Sequence, residues 1–118
     1  MIIGFGRFGQ VVSQSLFAEG MTVTILDNDP ERIEEAKKFG FRVFYGDGRR
    51  RDILMAAGIK KVQAVMVVTD NKTTTSCIID IVKDKNPNAK IYARSYDRIH
   101  SVELYKKNID YSMRETFE

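Results

Sequence analysis

The sequence contains no tryptophan, one cysteine, one histidine and two prolines among its 118 residues. A single cysteine cannot form an intramolecular disulfide, which is typical of proteins that fold in a reducing cytoplasm. No apolar run approaches the ~18 residues that a membrane span requires, and the first residues lack the pattern of a secretion signal. We therefore expect a cytoplasmic domain that depends on neither disulfides nor a membrane span of its own.

The charge is nearly balanced, with 19 basic and 16 acidic residues and a formal net charge of +3. The two signs are interspersed except at Arg49–Arg51, which either serve an anion or a partner or form a solvated basic corner. The second interpretation is favoured for Arg50 and Arg51. Because no basic face is interleaved with aromatic residues, we expect no nucleic-acid binding.

Short apolar or β-branched runs alternate with segments of helical spacing. They predict six strands, at Met1–Ile3, Thr22–Leu26, Arg42–Tyr45, Ala64–Val68, Lys90–Arg94 and Ile109–Ser112. Five helices lie between them, and the fifth carries an apolar stripe of Ile99, Val102 and Tyr105. Caps are predicted at Asp29, at Asp70 or Asn71, and at Asp97, and stops at Gly20, Gly40 and Gly58. Right-handed crossovers then predict an α/β fold, a doubly wound parallel (Rossmann) sheet in the order 3-2-1-4-5-6, spanning residues 1–118 as a single domain.

The opening segment, MIIGFGRFGQ, places Gly4, Gly6 and Gly9 in a G-x-G-x-x-G pattern between a strand and a helix. In this context Gly4 permits the tight turn, Gly6 lets a phosphate approach the backbone, and Gly9 lets the helix pack close to the strand. The alternative is a strand-to-helix connection with no ligand.

Asp27 ends the second predicted strand about 20 residues beyond the glycine turn, where a carboxylate accepts ribose hydroxyls and repels a 2′-phosphate. Adenosine nucleotides or NAD are therefore favoured over NADP. The alternative for Asp27 is a turn residue that precedes the helix cap at Asp29.

Two further segments close predicted strands at the same edge. Asp47 and Gly48, in YGDG, would contact the adenine ring, or else form an ordinary turn. Thr69 and Asp70, in VTDN, would line the phosphate or ribose side, or else cap a helix.

Candidates for catalysis are weak. Cys77 is interpreted as a small core residue of an amphipathic helix, and His100 as a surface or packing histidine. No cluster has the spacing of metal ligands. We therefore expect no enzyme activity, no catalytic residue and no metal.

Together, GFGRFGQ, LDNDPERIEEAKKFGFRVFYGDGRRRDIL and RETFE resemble the KTN (RCK, or TrkA-N) domains, over essentially the whole chain. The chain most resembles the C-terminal domain of the Kef glutathione-gated potassium efflux systems. The resemblance implies a regulatory domain on the cytoplasmic face of the inner membrane, part of a longer K⁺/H⁺ antiporter. It also implies homodimerisation and binding of AMP, with NAD(H), ATP or ADP as alternatives.

Carried onto this chain, the resemblance implies that the phosphate meets Gly6 to Gly9, with Arg7 neutralising it or contacting the dimer partner. The ribose would meet Asp27, and the adenine would meet Asp47 and Gly48. The complete predicted nucleotide set is Gly4, Gly6, Arg7, Phe8, Gly9, Asp27, Asn28, Arg32, Asp47, Gly48, Thr69 and Asp70.

Kef domains also bind glutathione or its adducts near the dimer interface, and the matching positions here are Phe39 and Arg114. Gln14 stands where glutathione-responsive Kef domains carry an arginine, which removes a charge-assisted partner for a carboxylate. The alternatives are a core role for Phe39 and a surface ion pair of Arg114 with Glu115 or Glu118.

The sequence thus predicts a ligand-sensing regulatory domain of a bacterial potassium efflux system. Two alternatives remain, the cofactor half of an NAD-dependent oxidoreductase and a peripheral TrkA-like subunit of a potassium uptake system.

Overall fold

All strand pairs in the computed structural model, which describes residues 1–114, are parallel, and they form one six-stranded sheet in the order β3-β2-β1-β4-β5-β6. The strands are β1 (Ile2–Ile3), β2 (Thr24–Asp27), β3 (Arg42–Tyr45), β4 (Ala64–Val67), β5 (Lys90–Ser95) and β6 (Tyr111–Arg114). The helices are α1 (Arg7–Ala18), α2 (Pro30–Lys38), α3 (Arg51–Ala56), α4 (Lys72–Lys85) and α5 (Arg98–Lys106). The predicted doubly wound Rossmann fold is confirmed.

The structure contains the helix N-caps that the sequence predicts. The carboxylates of Asp29 and Asp97 accept the N–H groups of Glu31 and His100. The amide oxygen of Asn71 accepts from Thr74 at 3.0 Å, so Asn71 caps α4 and leaves the side chain of Asp70 outside the cap.

The sixth strand begins two residues later than its apolar pattern predicts. The carboxylate of Asp110 accepts the Ile91 N–H at 2.6 Å, and the Asp110 N–H donates to the Ile91 carbonyl at 2.8 Å. Because this side chain takes the place of a backbone acceptor, regular pairing starts only at Tyr111. A single 3₁₀ turn at Ile59–Lys61 was also not predicted.

Two buried clusters cover the two faces of the sheet. Neighbouring residues of one strand enter opposite clusters, because side chains alternate across a strand. Thus Ile3 and Leu26 join one cluster, and Ile2 and Ile25 join the other. This double coverage explains why the central strands are apolar throughout.

The apolar stripe predicted on α5 does not face the core. Ile99, Val102 and Tyr105 are 73%, 50% and 45% exposed, whereas His100 and Leu104 are buried. The stripe and the buried face differ because β5 and β6 contact only one side of the helix.

His100 is 2% exposed, and its Nδ1 accepts the N–H of Tyr96 at 3.1 Å. Its Nε2 has no hydrogen-bond partner within residues 1–114. Burial, and then the charge of Lys72, hold the pKa of His100 below its ordinary value, against the opposing charges of Asp97 and Glu103.

We expect the stability of the domain to fall as the pH drops below the ordinary histidine pKa of 6.5. In that range the unfolded chain takes up a proton that the folded chain resists, so protonation favours unfolding. Urea unfolding between about pH 5.5 and about pH 7.5 should show this slope.

The variant His100→Asn keeps an acceptor for Tyr96 but cannot titrate, so its slope in this range should be clearly smaller. An equal slope in the variant would contradict the assignment to His100.

Candidate functional site

The carboxyl ends of β1 to β4 frame a cleft of about 180 Å³ at the position where the strand order reverses. Ligands of open α/β sheets bind in such crevices. The residues that line it are Ile3, Gly4, Leu26, Asp27, Asn28, Arg32, Gly46, Asp47, Gly48, Thr69, Asp70, Asn71, Thr74 and Ile78. Most of the predicted nucleotide-binding residues therefore lie together.

Two glycines of the turn between β1 and α1 are required by packing. Gly4 has φ +107°, and a Cβ there would lie 2.7 Å from the Val68 carbonyl oxygen. A Cβ at Gly9 would lie 2.3 Å from the Gly4 carbonyl oxygen. Both positions thus serve the close approach of α1 to β1 and β4.

Gly6 differs from both. Its backbone, at φ −73° and ψ −168°, is open to any residue. The three atoms nearest to a Cβ at Gly6 would all belong to the guanidinium of Arg32, the first of them at 3.5 Å. No side chain caps α1 at Gly6, and no acidic residue lies in its first turn. This arrangement leaves the amino end of α1 suited to an anion.

Asp27 holds the glycine turn in place. Its side chain is buried, and it accepts the Phe5 N–H at 2.7 Å and the Asp29 N–H at 2.9 Å. A carboxylate has about four acceptor sites. Asp27 therefore organises the turn and retains acceptor capacity toward the cleft.

Arg32 extends from α2 across the glycine turn. Its Nη2 donates to Asp70 at 3.1 Å, its Nη1 lies 3.7 Å from Asp27, and its Nε lies 4.0 Å from Asp29. Burial alone would lower the pKa of Arg32, but the hydrogen bond to Asp70 and the surrounding carboxylates raise it above its ordinary value. The guanidinium therefore stays ionised and places a positive charge in front of Gly6.

Asp47 is already bound within its own turn. Arg49 contacts its carboxylate through Nη2 at 2.8 Å, and the Arg49 backbone N–H donates to Asp47 at 2.9 Å. These hydrogen bonds hold the pKa of Asp47 below its usual range. Gly48 packs beneath it, where a Cβ would lie 3.1 Å from both Ile3 and Ile78.

The basic run at Arg49–Arg51 is neutralised by neighbouring carboxylates. In addition to the pair of Arg49 with Asp47, Arg50 lies 3.1 Å from Asp52 and Arg51 lies 2.6 Å from Asp84. The run therefore does not present a concentrated positive patch.

The remaining predicted residues divide between the cleft and its surroundings. Asn28 is exposed at the rim, and Thr69 shares a hydrogen bond of 2.7 Å with the hydroxyl of Thr75. Arg7 is exposed at the start of α1, whereas Phe8 packs against the core. Arg7, Phe8, Gly6 and Gly9 belong to the glycine turn but do not line the cleft.

The two positions predicted for glutathione lie on different elements, since Phe39 directly follows α2 and Arg114 is the last residue of β6. Phe39 is 38% exposed and packs on Phe5 and Phe41, with ring centroids 6.2 and 5.9 Å apart. Arg114 is exposed at the end of β6, and its suggested partners Glu115 and Glu118 lie outside the described residues.

Sequence reasoning missed the contributions of α4 and β5. Thr74 and Ile78 line the cleft one and two turns into α4, and Arg94 at the end of β5 lies 3.7 Å from Asp70. Arg94 was assigned only to a strand, although its place at a carboxyl end could have identified it.

Cys77 is half-buried against the core. Within residues 1–114, no three His, Cys, Asp or Glu side chains are grouped to hold a metal ion. Across the same range, no helix has both the length and the apolarity to cross a membrane.

A doubly wound parallel sheet, a glycine turn before α1 and a cleft at the switch point define a Rossmann-type domain. The TrkA-N domain model matches residues 1–115. The chain belongs to the TrkA-N family, and potassium-efflux proteins of the Kef type match it over its whole length.

The chain is 44% identical over its whole length to a glutathione-regulated potassium-efflux system protein of Haemophilus influenzae. It is 40% identical, also over its whole length, to the protein KefC of an Enterobacter species. It spans only 19% of the length of each of these curated relatives.

Among solved structures, the Kef C-terminal domain of Shewanella denitrificans in its AMP-bound form is similar, with a TM-score of 0.87 and 38% identity. The match covers 98% of this chain and 70% of that one. The TrkA-N domain of the Escherichia coli inner membrane protein ybaL has a TM-score of 0.90 at 18% identity, covering 96% and 84% of the two chains. This second likeness supports the fold alone.

We expect Asp27→Ala to lower the free energy of unfolding by about 2 kcal/mol, because two backbone N–H groups lose their acceptor. Asp27→Asn keeps one amide oxygen and should lose less. Urea denaturation at neutral pH measures both, with Asp52→Ala as a control that removes an exposed carboxylate paired with Arg50. A wild-type stability in Asp27→Ala would contradict the structural role.

Proposed function

We propose that this domain binds an adenine nucleotide, AMP in the first place, and serves as a ligand-sensing regulatory domain of a bacterial potassium efflux (K⁺/H⁺ antiport) system. The observation that carries the proposal is the cleft at the switch point, in a fold shared with an AMP-bound Kef domain at 38% identity. The efflux function is proposed because the relatives that match the whole chain are potassium-efflux proteins.

The geometry supports a direction for the ligand along the cleft. The phosphate would meet the amino end of α1 at Gly6, where the helix dipole and Arg32 favour an anion. The ribose would meet the acceptor capacity left on Asp27. The adenine would lie against Gly46 to Gly48. Asp47 would accept a hydrogen bond from the amino group of the adenine only if Arg49 gave up one of its hydrogen bonds to the Asp47 carboxylate.

The cleft must widen to admit a nucleotide. Its volume of about 180 Å³ is below the ~300 Å³ at the lower end of small-molecule sites, so even AMP requires the side chains at the mouth to move. The extra nucleotide of NAD would have to lie outside it. The names of the relatives, which are potassium-efflux proteins, weigh against both the dehydrogenase alternative and a TrkA-like uptake subunit.

We place the domain on the cytoplasmic face of the inner membrane, attached to a membrane antiporter. The full-length relatives are several times longer than this chain, which is consistent with such an attachment. Binding would act by stabilising one arrangement of the domain rather than by chemistry, since only a differential affinity for two states can transmit a signal.

A homodimer through α1 is supported by exposed apolar surface. Val11 and Phe17 are 62% and 53% exposed and flank Gln14 along α1. Phe17 packs edge-on against Phe41, which stacks with Phe39. We also place a glutathione-type ligand near this interface, in contact with Phe39 and Arg114.

We expect Gly6→Ala to abolish the rise in melting temperature that AMP produces, while costing the unliganded domain about 1 kcal/mol or less. The added methyl group would face only Arg32 in the free protein but would occupy the approach of the phosphate. AMP at a hundred times its Kd stabilises a wild-type domain by about 2.7 kcal/mol, which thermal unfolding detects easily.

Ser15→Ala, on the exposed side of the same helix, is the matched control and should keep the full AMP effect. A full AMP effect in Gly6→Ala would place the phosphate elsewhere.

We expect Val11→Lys to weaken self-association at least about tenfold, since it puts a charge at the centre of an apolar contact. Val102→Lys makes the same change on the exposed stripe of α5 and should leave self-association unchanged. Sedimentation analysis compares the two, and the reverse result would move the dimer interface to α5.

A further inference from the structure

Asp70 lies between two arginines that come from opposite halves of the sheet. Its Oδ2 accepts from Nη2 of Arg32 at 3.1 Å, and its Oδ1 lies 3.7 Å from Nη1 of Arg94. Arg32 belongs to α2, which follows β2, and Arg94 belongs to β5. The carboxylate therefore joins the two halves across the mouth of the cleft.

The ion pair with Asp70 engages the guanidinium of Arg32, which is the group that an anionic ligand would bind. The guanidinium of Arg32 is the group that lies over Gly6, where the phosphate is placed under the proposed function. Of the three carboxylates around Arg32, only that of Asp70 accepts no backbone N–H group of a turn or helix. Asp27 accepts two backbone N–H groups and Asp29 caps α2, whereas the α4 cap is Asn71.

The contact is also easily exchanged. The side chain of Asp70 is 61% exposed and that of Arg32 is 36% exposed. Exposed ion pairs are weak because water competes for both partners. A dianionic phosphate held by helix N–H groups is a stronger partner for Arg32 than a single solvated carboxylate.

We propose that Asp70 is a specificity-determining residue of the nucleotide site, acting as an internal anion. It holds Arg32 in the free domain, competes with the ligand phosphate for it, and repels longer phosphate chains. The inference rests on the proposed function, because it assumes a phosphate in front of Gly6. It assigns to Asp70 an opposing role, rather than the ligand-lining role that its position alone suggests.

The test compares adenosine, AMP, ADP and ATP by calorimetric titration of the wild-type domain and Asp70→Asn. The variant should bind AMP about two- to fivefold more tightly, the range expected for release of an exposed ion pair. The gain should increase from AMP to ADP to ATP, because each added phosphate brings more negative charge toward position 70. The affinity for adenosine should not change.

Asp84→Asn is the matched control. It removes the same charge from a side chain that is 58% exposed and paired with Arg51, away from the cleft. It should leave all four affinities unchanged, and an equal gain there would overturn the inference by reducing it to net charge.

The single variant Arg32→Gln and the double variant Arg32→Gln/Asp70→Asn complete a double-mutant cycle with the wild type and Asp70→Asn. If Asp70 acts through Arg32, the substitution at position 70 should increase AMP affinity much less in the Arg32→Gln background. An undiminished gain would contradict the competition for Arg32.

The failures of the two proposals differ. AMP binding by the wild-type domain with no gain, or a loss, in Asp70→Asn would overturn the inference and leave the proposed function standing. If circular dichroism shows that both proteins are folded and neither binds AMP, the proposed function is overturned and the inference with it.

Discussion

The buried carboxylate of Asp27 is the interaction on which the site depends. It links the end of β2 to Phe5 in the glycine turn and to Asp29 at the start of α2 through two short hydrogen bonds. These contacts set where α1 and α2 begin relative to the sheet. The amino end of α1, the reach of Arg32 and the width of the cleft all follow from that placement.

The free site is closed by its own ion pairs. Arg32 is held by three carboxylates, those of Asp27, Asp29 and Asp70, and Asp47 is held by Arg49. Under the proposed function, both sets of ion pairs would be exchanged for contacts with the nucleotide. A domain that exchanges internal contacts for ligand contacts has different side-chain arrangements in its free and bound states. A sensing domain requires two such states.

Sequence reasoning succeeded where a local pattern has a local physical cause. Asp29 and Asp97 cap helices because a carboxylate one residue before a helix accepts its free N–H groups. The strand order follows from crossover handedness and double burial. It misplaced the start of the sixth strand, predicted at Ile109 and found at Tyr111, because the carboxylate of Asp110 replaces a backbone acceptor. It failed for α5, whose apolar stripe of Ile99, Val102 and Tyr105 is exposed.

By itself, the sequence determined the Rossmann topology, the glycine turn and the grouping of acidic residues at one edge, because each depends on spacing along the chain. Only the tertiary structure decided that Gly4 and Gly9 serve packing while Gly6 leaves space, and that Asp70 lies between Arg32 and Arg94. Those roles depend on distances between segments far apart in sequence. Long side chains reach several neighbours, and only the packed fold selects which of them they meet.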